Sequence, residues 1–420
     1  MKKYNLIVVG GGFSGVAAAI SAARSGLSVL LVERSNCLGG AATNCLVNPF
    51  MPYWSEMTVD GNREKLYLSQ GLFKEILSEL RTAGALCENE MTFHEEYLKL
   101  ILNRMVQKEQ IDVLFHSYLI DAASHDGVIG TITVANKSGN IELAADYFVD
   151  ASGDGDLCVM CGCPYQLGRE KDNLCQPMTL CFRVANVDLE KFKQSRKTIN
   201  PLYNEMQRLG KIKNIREDVL IFSNLVNGVL HFNSTRVVKK NPTDAFDVSE
   251  AEMDAREQVF ELFNFLTGHI DGFQNSQLLM TASQIGVRES RMIEGVYTLT
   301  GNDLIECKKF DDAIAVGNYD IDIHNPEGSG TSHYYFPDGQ YYTIPYRSLI
   351  PKGMNNLLVA GRCISADHEA QASIRIIPIV CCIGEAAGVA VGIACKQGKP
   401  VYDADIKMIQ DVLRERGAVV

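Results

Sequence analysis

Three glycines near the start of the chain, Gly10, Gly12 and Gly15, have the G-x-G-x-x-G spacing of a turn that can hold phosphate groups. The first glycine permits a tight turn, the second lets the backbone approach a pyrophosphate, and the third lets a helix pack closely on a strand. An acidic residue, Glu33, follows where its carboxylate can accept hydrogen bonds from ribose hydroxyl groups. Together these four residues could bind a dinucleotide.

The elements that must position these glycines are predicted by the sequence around them. An apolar run at 6–9 predicts a strand, small residues at 16–25 predict a helix, and 28–32 predicts a second strand. Phosphates at such a turn lie at the helix N-terminus, where free N–H groups and the helix dipole favour an anion. The alternative is a βαβ unit whose glycines serve only packing, but the order of strand, helix and acid favours the dinucleotide site.

The chain is acidic and has the composition of an ordinary globular protein. Its 420 residues are enough for two domains, and a hydrophobic content of 46% is enough for a sizeable core. The net charge of −11 argues against general binding to nucleic acids and against binding to an anionic membrane surface. Its 13 cysteines are an odd number without framework spacing, so we expect reduced, mostly packed thiols in a cytoplasmic protein.

Two apolar segments could be mistaken for targeting or membrane segments. The N-terminal stretch begins with lysines, as a signal peptide does, but the glycine turn interrupts its apolar part. The segment 376–395 is nearly all apolar, yet it contains Glu385 and many small residues, which favours a helix buried against a sheet over a membrane span. Pro378 suits the first turn of that helix and Gly398 suits its end.

The pattern of strands and small-residue turns is interrupted in the middle of the chain and then returns, which predicts a discontinuous domain. A second strand and small-residue turn occur at 147–156, and a third occurs at 356–388. Between them, residues 166–342 mix strands with polar helices and contain no dinucleotide motif. We therefore predict one nucleotide-binding domain from 1–165 and 343–420, with 166–342 inserted as a substrate or cap domain.

Two helix starts are predicted from capping-box spacing. Thr92 is followed three residues later by Glu95, and Ser249 is followed by Glu252. This spacing predicts that one helix begins at Thr92 and another at Ser249.

Six longer stretches resemble a known family of flavoproteins. They read LGGAATN, VDASGDGDL, IGVRESR, FDDAIAVGNYDIDIHNP, IPYRSLIP and NLLVAGRCISADHEAQASIR. The chain resembles the bacterial FAD-dependent oxidoreductases, some of which carry a xanthan lyase label, and its nucleotide-binding frame resembles the glutathione-reductase-like flavoproteins. The resemblance implies an α/β fold, with a Rossmann-like FAD-binding domain, an inserted α+β substrate or cap domain, and non-covalent FAD.

The resemblance also implies which residues contact an extended FAD molecule. The implied contacts are Gly10, Gly12, Phe13, Ser14, Gly15, Glu33, Arg34, Gly39, Gly40, Ala41, Thr43, Leu119, Ser152, Gly153, Asp154, Gly361, Arg362, Ile376 and Ile377. The N-terminus of the last core helix would face the flavin pyrimidine ring, where the helix dipole favours negative charge. Better-known flavoproteins often have an acid at or near the position of Arg362, so this chain departs from their pattern there.

His368 and Arg375 are the first candidates for contact with a substrate. They lie on the loop before the last core helix, at a position that resembles the substrate-binding stretch of fumarate reductases and succinate dehydrogenases. Such a cationic pair could bind a carboxylate or polarise a carbonyl. The alternative is that Arg375 binds loop carbonyls and His368 is a packed surface histidine.

The inserted region offers further candidates that could face the flavin. Arg288 and His324 come first, because both lie in stretches that carry the family resemblance. The same region and its return also contain Arg291, His333 and Tyr346. Most charged residues in proteins are solvated or paired, which is the alternative for each of them.

The cysteines do not predict a metal site or a dithiol mechanism. Cys158, Cys161 and Cys163 are close in sequence but lack a fourth partner at a metal-site spacing, so we predict packed thiols and no metal. Where disulfide reductases have a C-x4-C pair, this chain has Ala42 and Val47. A lone thiol on the flavin side, Cys45, is the remaining alternative.

The predicted reaction is hydride transfer between flavin N5 and a small polar organic substrate, either a carboxylate or a sugar-like compound. The alternative is a flavoprotein subunit that relays electrons from its FAD to a partner protein, and a third hypothesis is a non-enzymatic FAD binder. No second dinucleotide motif occurs, so a dedicated NAD(P)H domain is not expected. The direction of the reaction is left open, and so is assembly into a homo-oligomer.

Overall fold

The computed structural model describes residues 3–420, and within that range it contains nineteen strands. In chain order they are β1 (Lys3–Val9), β2 (Val29–Val32), β3 (Trp54–Val59), β4 (Asn62–Tyr67), β5 (Asp112–Leu114), β6 (Tyr118–His125), β7 (Val128–Asn136), β8 (Gly139–Asp150), β9 (Tyr165–Leu167), β10 (Phe182–Ala185), β11 (Ile221–Ser223), β12 (Leu230–Phe232), β13 (Gln277–Thr281), β14 (Arg291–Ile293), β15 (Ala313–Gly317), β16 (Ile321–His324), β17 (Thr331–Tyr334), β18 (Tyr342–Pro345) and β19 (Leu357–Val359).

The same residues form eleven α-helices and two short 3₁₀ helices, Tyr346–Leu349 and Val401–Asp403. The α-helices are α1 (Phe13–Ala23), α2 (Ala41–Asn44), α3 (Leu72–Thr82), α4 (Glu95–Lys108), α5 (Asp156–Met160), α6 (Leu189–Arg208), α7 (Ala245–His269), α8 (Gly301–Ile305), α9 (His368–Ile374), α10 (Ile377–Gln397) and α11 (Ile406–Glu415).

The largest sheet has seven strands and combines a parallel core with an antiparallel edge. Its order is β5-β2-β1-β8-β7-β6, and β19 pairs with β8. The pairs β2–β5, β1–β2, β1–β8 and β8–β19 are parallel, whereas β6, β7 and β8 form an antiparallel meander. Strand β8 belongs to both parts, so the strand predicted at the start of 147–156 is the end of a longer strand that begins at Gly139. This is the predicted α/β architecture with a Rossmann-like nucleotide-binding domain.

The parallel strands bring three turns to one edge of the sheet. Gly10 follows β1, Ala151 follows β8, and Ala360 follows β19, and in a parallel sheet these carboxyl ends all point the same way. Backbone hydrogen bonds join the three strand ends, from Ala151 N to Val9 O and from Ala360 N to Asp150 O, both at 2.8 Å. Segments that are far apart in sequence therefore meet beside the glycine motif.

Helix α10 packs directly on α1, and the contact depends on glycines. A Cβ atom added at Gly384 would lie 2.1 Å from the carbonyl oxygen of Ser14, and one at Gly388 would lie 2.2 Å from that of Ala18. The helix begins with Pro378 in its first turn and ends at Gly398, which has a positive φ of 61°, as predicted. Of the described residues, this is the one helix long and apolar enough to cross a membrane, and its apolar window is completely buried. The prediction of a buried core helix is confirmed.

A second hydrophobic cluster forms within the inserted region. It is built around the four-stranded sheet β11-β12-β10-β13 and helices α6 and α7, and it extends from Met178 to Ile285 with Leu46 added. From Ile293 onward most of the buried apolar residues belong to the first cluster. The second core is thus narrower than the inserted domain predicted at 166–342, because strands β15, β16 and β18 pack with the nucleotide-binding part.

A buried ion pair connects the two parts. The guanidinium of Arg183 on β10 donates two hydrogen bonds to the carboxylate of Glu95, the first residue of α4, and both side chains are buried. Burial opposes ionisation of Glu95, but the guanidinium outweighs it and holds the pKa of this carboxyl below its usual range. Removing either partner would leave a charge buried without compensation.

Both predicted helix starts were wrong. Helix α4 begins after His94, two residues later than the start predicted at Thr92. Helix α7 begins earlier than predicted, because the carboxylate of Asp244 accepts hydrogen bonds from the N–H groups of Phe246 and Asp247. Ser249 lies inside this helix and donates its hydroxyl proton to the carbonyl of Ala245. A hydroxyl that bonds back to the preceding turn cannot act as the cap.

Glu385 on α10 is a buried acid with a clear structural role. Its carboxylate accepts a hydrogen bond of 3.0 Å from the N–H of Leu72, at the N-terminus of α3. Burial raises the pKa of Glu385 to about 7, and nearby Arg416 and Arg24 oppose this only partly. The folded protein therefore binds a proton here that the unfolded chain has already lost.

Glu385→Gln is expected to stabilise the protein at pH 8 but not at pH 4.5. Between those values the unfolded state binds fewer protons than the folded state, so the stability of the wild type falls as pH rises towards about 7. A shift of this size corresponds to about 3 kcal/mol. Urea unfolding at several pH values measures the difference, and the exposed Glu415→Gln is the control. An equal effect of Glu385→Gln at both pH values would contradict the prediction.

Candidate active site

A long depression runs along the carboxyl edge of the seven-stranded sheet and has three connected parts. The first, which we call the outer cleft, is lined by Val9, Gly10, Val32, Glu33, Arg34, Ser117, Tyr118, Leu119, Ser152 and Asp156. The second, the glycine cleft, shares Gly10, Glu33, Arg34 and Ser152 with the outer cleft. The third, the inner cavity, shares Ala41, Val287, Arg362, Arg375 and Ile377 with the glycine cleft. An elongated ligand could therefore extend through all three parts.

The glycine turn is shaped by close backbone contacts. A Cβ at Gly10, where φ is +102°, would lie 2.3 Å from the carbonyl oxygen of Ala151, and a Cβ at Gly15 would lie 1.7 Å from that of Gly10. At Gly12 the nearest heavy atom would be 3.9 Å away, so its backbone is open to the glycine cleft. The first and third glycines thus serve packing, and the second permits close approach of a ligand.

Glu33 lies where the outer cleft and the glycine cleft meet. Its carboxylate accepts hydrogen bonds from the N–H of Gly11 at 2.6 Å and from the N–H of Ser35 at 2.7 Å. Only 6% of the residue is exposed. The two backbone donors fix the orientation of the carboxylate and leave further lone pairs for ligand hydroxyl groups.

Two helix N-termini and one hydroxyl group fit the phosphates of a dinucleotide. Within residues 3–420 no side chain caps α1 or α10, and Ser14 and Ile377 in their first turns line the glycine cleft. The hydroxyl of Ser14 is buried and has no hydrogen-bond partner among the described residues. An unpaired buried hydroxyl beside uncapped N–H groups is suited to an anionic ligand, so these residues fit the pyrophosphate of a dinucleotide.

Two buried aspartates, Asp150 and Asp154, hold the turn after β8 in place through hydrogen bonds. The buried carboxylate of Asp150 accepts hydrogen bonds from the N–H and hydroxyl of Ser152 and from the N–H of Cys158. Asp154 accepts from the hydroxyl of Ser290 at 2.6 Å and from the guanidinium of Arg362 at 2.7 Å. Burial opposes ionisation of Asp154, but Arg362 outweighs it and keeps the pKa of this carboxyl below its usual range.

Arg362 is the position at which the sequence departs from better-known flavoproteins, and the structure shows its role. Its guanidinium pairs with Asp154, lies close to the backbone of Gly153, and lines both the glycine cleft and the inner cavity. Its Nε is buried without a partner among the described residues. The positive charge of Arg362 is therefore largely compensated by Asp154, which comes from a distant segment of the chain.

The inner cavity lies between the sheet edge and the inserted region. One wall is mainly apolar and comes from the nucleotide-binding part, and the other wall is polar. Its lining residues are Ala41, Val47, Pro49, Met51, Thr179, Cys181, Asn233, Gly286, Val287, Arg288, Tyr319, Asp322, His324, Arg362, Arg375, Ile376 and Ile377. The structure thus brings together Arg288, His324 and Arg375, three of the four residues predicted to contact a substrate.

Arg375 lies at the junction of the glycine cleft and the inner cavity. It donates to the carbonyl oxygen of Asp322 at 2.9 Å and to that of Ala372 at 3.1 Å, and it is 3.5 Å from the Asp322 carboxylate. Arg288 donates to the carbonyl of Pro177 and the hydroxyl of Thr179. Burial and the positive charge of Arg375 lower the pKa of Arg288 to about 9. Within residues 3–420, neither guanidinium has a close bidentate carboxylate partner.

His324 is neutral and has a defined tautomer. Burial and the charge of Arg288 lower its pKa to about 3. Its Nδ1 lies 3.1 Å from a guanidinium nitrogen of Arg236, which can only donate, so Nδ1 is the acceptor. The proton is therefore on Nε2, which lies 3.3 Å from the carboxylate of Asp322. The guanidinium of the fully buried Arg236 thus sets the orientation of this ring.

His368 does not line any of the three parts of the depression. It is the first residue of α9, and its Nδ1 lies 2.6 Å from the carboxylate of Glu289, which is completely buried. Glu289 also accepts from the N–H of Gln176 at 2.8 Å and directly follows Arg288 in the chain. The structure places His368 behind the cavity wall and not on it.

Most of the predicted FAD contacts lie on the depression. The residues on the outer cleft or the glycine cleft are Gly10, Gly12, Phe13, Ser14, Glu33, Arg34, Gly39, Gly40, Ala41, Leu119, Ser152, Gly153, Gly361, Arg362 and Ile377, and Ile376 lines the inner cavity. Three others support neighbours and do not line it. Gly15 packs under Gly10, Thr43 donates its hydroxyl to Leu38 O, and Asp154 pairs with Arg362.

The cysteines are not arranged for catalysis or metal binding. All thirteen are free. Cys45 lines the glycine cleft, but burial raises the pKa of its thiol to about 11, so the hypothesis of a reactive flavin-side thiolate is not supported. Among the residues that the structure describes, no group of three or more His, Cys, Asp or Glu side chains could hold a metal ion.

The sequence did not single out two important wall residues, Asp322 and Tyr319. Both line the inner cavity, and the hydroxyl of Tyr319 donates to the Asp322 carboxylate at 3.1 Å. Burial opposes ionisation of Asp322, but His324 and the two arginines hold its pKa well below the usual range. The signal was present, because both residues belong to one of the stretches that resemble the FAD-dependent family.

Comparison with known proteins gives one family and several distant structures. The model of a family described as FAD dependent oxidoreductase matches residues 5–413. A geranylgeranyl bacteriochlorophyll reductase-like protein from Thermoplasma acidophilum is 14% identical, with a TM-score of 0.48 over 99% of this chain and 84% of its own. A p-nitrophenol 4-monooxygenase from Pseudomonas putida is 10% identical, with a TM-score of 0.49 over 98% of this chain and 84% of its own. At these sequence identities and TM-scores, the two structures carry no argument about the substrate of this protein.

Proposed function

Since its family model matches almost the whole length, the chain belongs to the FAD-dependent oxidoreductases, and we propose that it transfers a hydride between FAD and a small organic carboxylate. FAD is the cofactor, and the described residues fit it. The bound flavin supplies the site that accepts or returns a hydride. In this proposal the residues of the chain bind the substrate, orient it, and accept or donate its proton.

The charge of the inner cavity supports a carboxylate substrate over a neutral, sugar-like one. Three guanidinium groups line the cavity, and Arg362 is already paired with Asp154. Arg288 and Arg375 remain, and among the described lining residues the Asp322 carboxylate alone offsets them. A substrate with one carboxylate would neutralise the positive charge that Asp322 leaves uncompensated on the two arginines. Burial of the site makes such an unpaired charge costly.

The two arginines have different roles in this proposal. Arg375 lies on the boundary between the glycine cleft and the inner cavity, so it binds the substrate carboxylate near the cofactor. Arg288 adds a second donor from the inserted region. Neutral His324 holds Asp322 through its Nε2 proton, and Asp322 in turn positions Arg375. In this way the cavity wall is ordered before a substrate binds.

His368 acts as a positioning residue in this proposal. Its contact with Glu289 supports the segment that carries Arg288, and Gln371 of the same helix donates to the carbonyl of Arg288 at 2.8 Å. Helix α9 therefore supports the Arg288 side of the cavity from outside its lining.

An electron-transfer partner, a homo-oligomer and a cytoplasmic location stay predictions from the sequence.

Ser14→Ala is expected to weaken FAD binding without destabilising the apoprotein. Its hydroxyl has no partner among the described residues, so its removal breaks no internal hydrogen bond. One lost hydrogen bond to a charged phosphate corresponds to a roughly 10-fold higher Kd. Fluorescence titration of the apoprotein with FAD measures the change. The control is Ser25→Ala, whose hydroxyl donates to Ser21 O outside the three clefts, and which should alter stability but not FAD affinity.

A flavin-bleaching assay tests the proposed substrate class. FAD-loaded protein is mixed without oxygen with lactate, malate, glycolate, succinate, glucose or sorbitol, and the visible absorbance of the flavin is followed. We expect bleaching by at least one of the carboxylates and none by the neutral polyols. Bleaching by polyols alone would overturn the carboxylate assignment. No bleaching by any compound, together with rapid reduction through a carrier protein, would favour the electron-relay alternative.

A further inference from the structure

Asn233 lines the inner cavity, and only half of its side-chain amide has a partner in the protein. The residue directly follows β12 in the inserted region, and its backbone N–H donates to the carbonyl oxygen of Leu220 at 3.2 Å. A guanidinium nitrogen of Arg288 donates to its side-chain oxygen, Oδ1, at 3.3 Å. Since a guanidinium can only donate, the oxygen of the amide must face Arg288. The amide nitrogen, Nδ2, is then left without a partner among residues 3–420.

The other uncharged polar side chains of the cavity wall already use their donors within the protein. The hydroxyl of Thr179 donates to a backbone carbonyl at 3.0 Å, and the hydroxyl of Tyr319 donates to a wall carboxylate at 3.1 Å. Neutral His324 carries its proton on Nε2, which lies 3.3 Å from the same carboxylate. Cys181 offers only a thiol, which is a weak donor. Of the described uncharged lining side chains, Asn233 alone has a strong donor left for a ligand.

The free donor of Asn233 lies beside the guanidinium of Arg288, because Nδ2 and Oδ1 are bonded to the same carbon atom. A ligand that accepts hydrogen bonds from both groups must therefore carry two oxygen atoms close together. An acid with an oxygen on the carbon next to its carboxylate has such a pair, since that oxygen lies beside one of the carboxylate oxygens. An oxygen one carbon further along the chain is more distant. The two donors therefore suit an acid with an oxygen at its second carbon.

We propose that Asn233 selects acids with an oxygen on the carbon next to the carboxylate, which are the 2-hydroxy and 2-oxo acids. The inference rests on the proposed function, because the carboxylate is the group that Arg375 and Arg288 bind. The Nδ2 group donates to the additional oxygen of the ligand. Hydroxyl and keto oxygens both accept hydrogen bonds, so the same donor serves the reduced and the oxidised form of the substrate. An acid without that oxygen leaves the amide N–H unpaired, which weakens its binding.

Binding of unreactive acids to FAD-loaded protein tests this selection. Oxidised flavin has no hydride to give to a 2-oxo acid, so pyruvate binds without reacting, and propionate is the same acid without the additional oxygen. Isothermal titration calorimetry measures the Kd of each, and 2-oxohexanoate and hexanoate form a longer pair. In the wild type we expect the 2-oxo acid of a pair to bind roughly 10-fold more tightly, which corresponds to one hydrogen bond and one unpaired donor.

Asn233→Ala is expected to bring the two Kd values of a pair to within about 2-fold of each other, because the donor is gone. The substitution also removes an acceptor from Arg288, but this affects both acids of a pair, so the ratio of their Kd values reports the lost donor alone. Asn264→Ala is the matched control, since Asn264 is exposed on α7 of the inserted region, outside the three clefts. It should keep the ratio of the wild type.

The position of the oxygen is tested with acetoacetate, which carries it one carbon further from the carboxylate and should bind within about 2-fold of butyrate. An equal gain for acetoacetate would contradict selection at the second carbon. Equal binding of the two acids of each pair by the wild type would overturn the selection while leaving the carboxylate assignment intact. A preference for 2-oxo acids that survives in Asn233→Ala would assign it to another group and would also overturn the inference. If no acid binds, the proposed function fails, and the selection fails with it.

Discussion

Gly384→Ala is expected to separate α10 from α1 and to impair both stability and FAD binding. The new methyl group would lie 2.1 Å from the carbonyl oxygen of Ser14, which is backbone and cannot rotate away. Forcing extra volume into such a contact costs on the order of 3 kcal/mol. Because Ser14 belongs to the first turn of α1, the shift also displaces the uncapped N–H groups at the glycine cleft. Denaturant unfolding and FAD titration measure the two effects.

A helical glycine with free space around it provides the control for this substitution. A Cβ added at Gly268, near the end of α7, would have no neighbour within 4 Å. Gly268→Ala should therefore be neutral or stabilise the protein by roughly 0.5–1 kcal/mol, since alanine has the higher helix propensity. If Gly384→Ala were as well tolerated as Gly268→Ala, the close packing of α10 on α1 would be contradicted. The same packing explains how the last core helix reaches the glycine cleft, which Ile377 and Val380 line.

Arg375→Met is expected to lower kcat/KM for the carboxylate substrate by roughly 100- to 1,000-fold, the usual effect of removing a charged hydrogen-bond partner from a buried site. The side chain that replaces it has similar length but neither charge nor donors. It also leaves Asp322 without its nearest guanidinium, so the cavity would carry more negative charge and repel a carboxylate. Most of the loss should therefore appear as a raised KM. Stopped-flow bleaching at varied substrate concentration measures it.

Arg347→Met distinguishes this effect from a general loss of charge. Arg347 also pairs with an aspartate, Asp312, but its side chain is 46% exposed and the pair lies outside the three clefts. Surface pairs of this kind contribute little, so its kcat/KM should remain within about 2-fold of the wild type. If Arg375→Met bound the carboxylate as tightly as the wild type does, Arg375 would not be its ligand. Binding of FAD should persist in both variants and serves as a check on folding.

The nucleotide-binding frame could be predicted from the sequence because its signals are local. The strand at 6–9, the glycine turn and the acid Glu33 follow one another within one βαβ unit, where spacing alone fixes their relation. The burial of α10 was also predictable, since Glu385 and the many small residues in an apolar segment argue for a packed helix. The same reasoning gave the helix ends at Pro378 and Gly398.

Elements with weak local signals were missed or misplaced. The hairpin of β3 and β4 was not predicted, because its strands are half-exposed and rich in charged residues. Helix α9 was predicted as part of a loop and helix α2 was not predicted, since seven and four residues are too few to show a helical period. At the start of α7 a competing cap, Asp244, took the place predicted for Ser249.

The sequence by itself determined the α/β fold with its nucleotide-binding frame, the FAD cofactor and the residue types available for substrate binding. Only the tertiary structure decided which of those residues lie together. It placed Arg288, His324 and Arg375 on one cavity with Asp322, and it paired Arg362 with Asp154. It placed His368 against Glu289, outside the lining of that cavity. The reason is physical. A glycine turn is specified by neighbours in the chain, whereas a cavity wall is specified by packing between segments hundreds of residues apart, which no local spacing encodes.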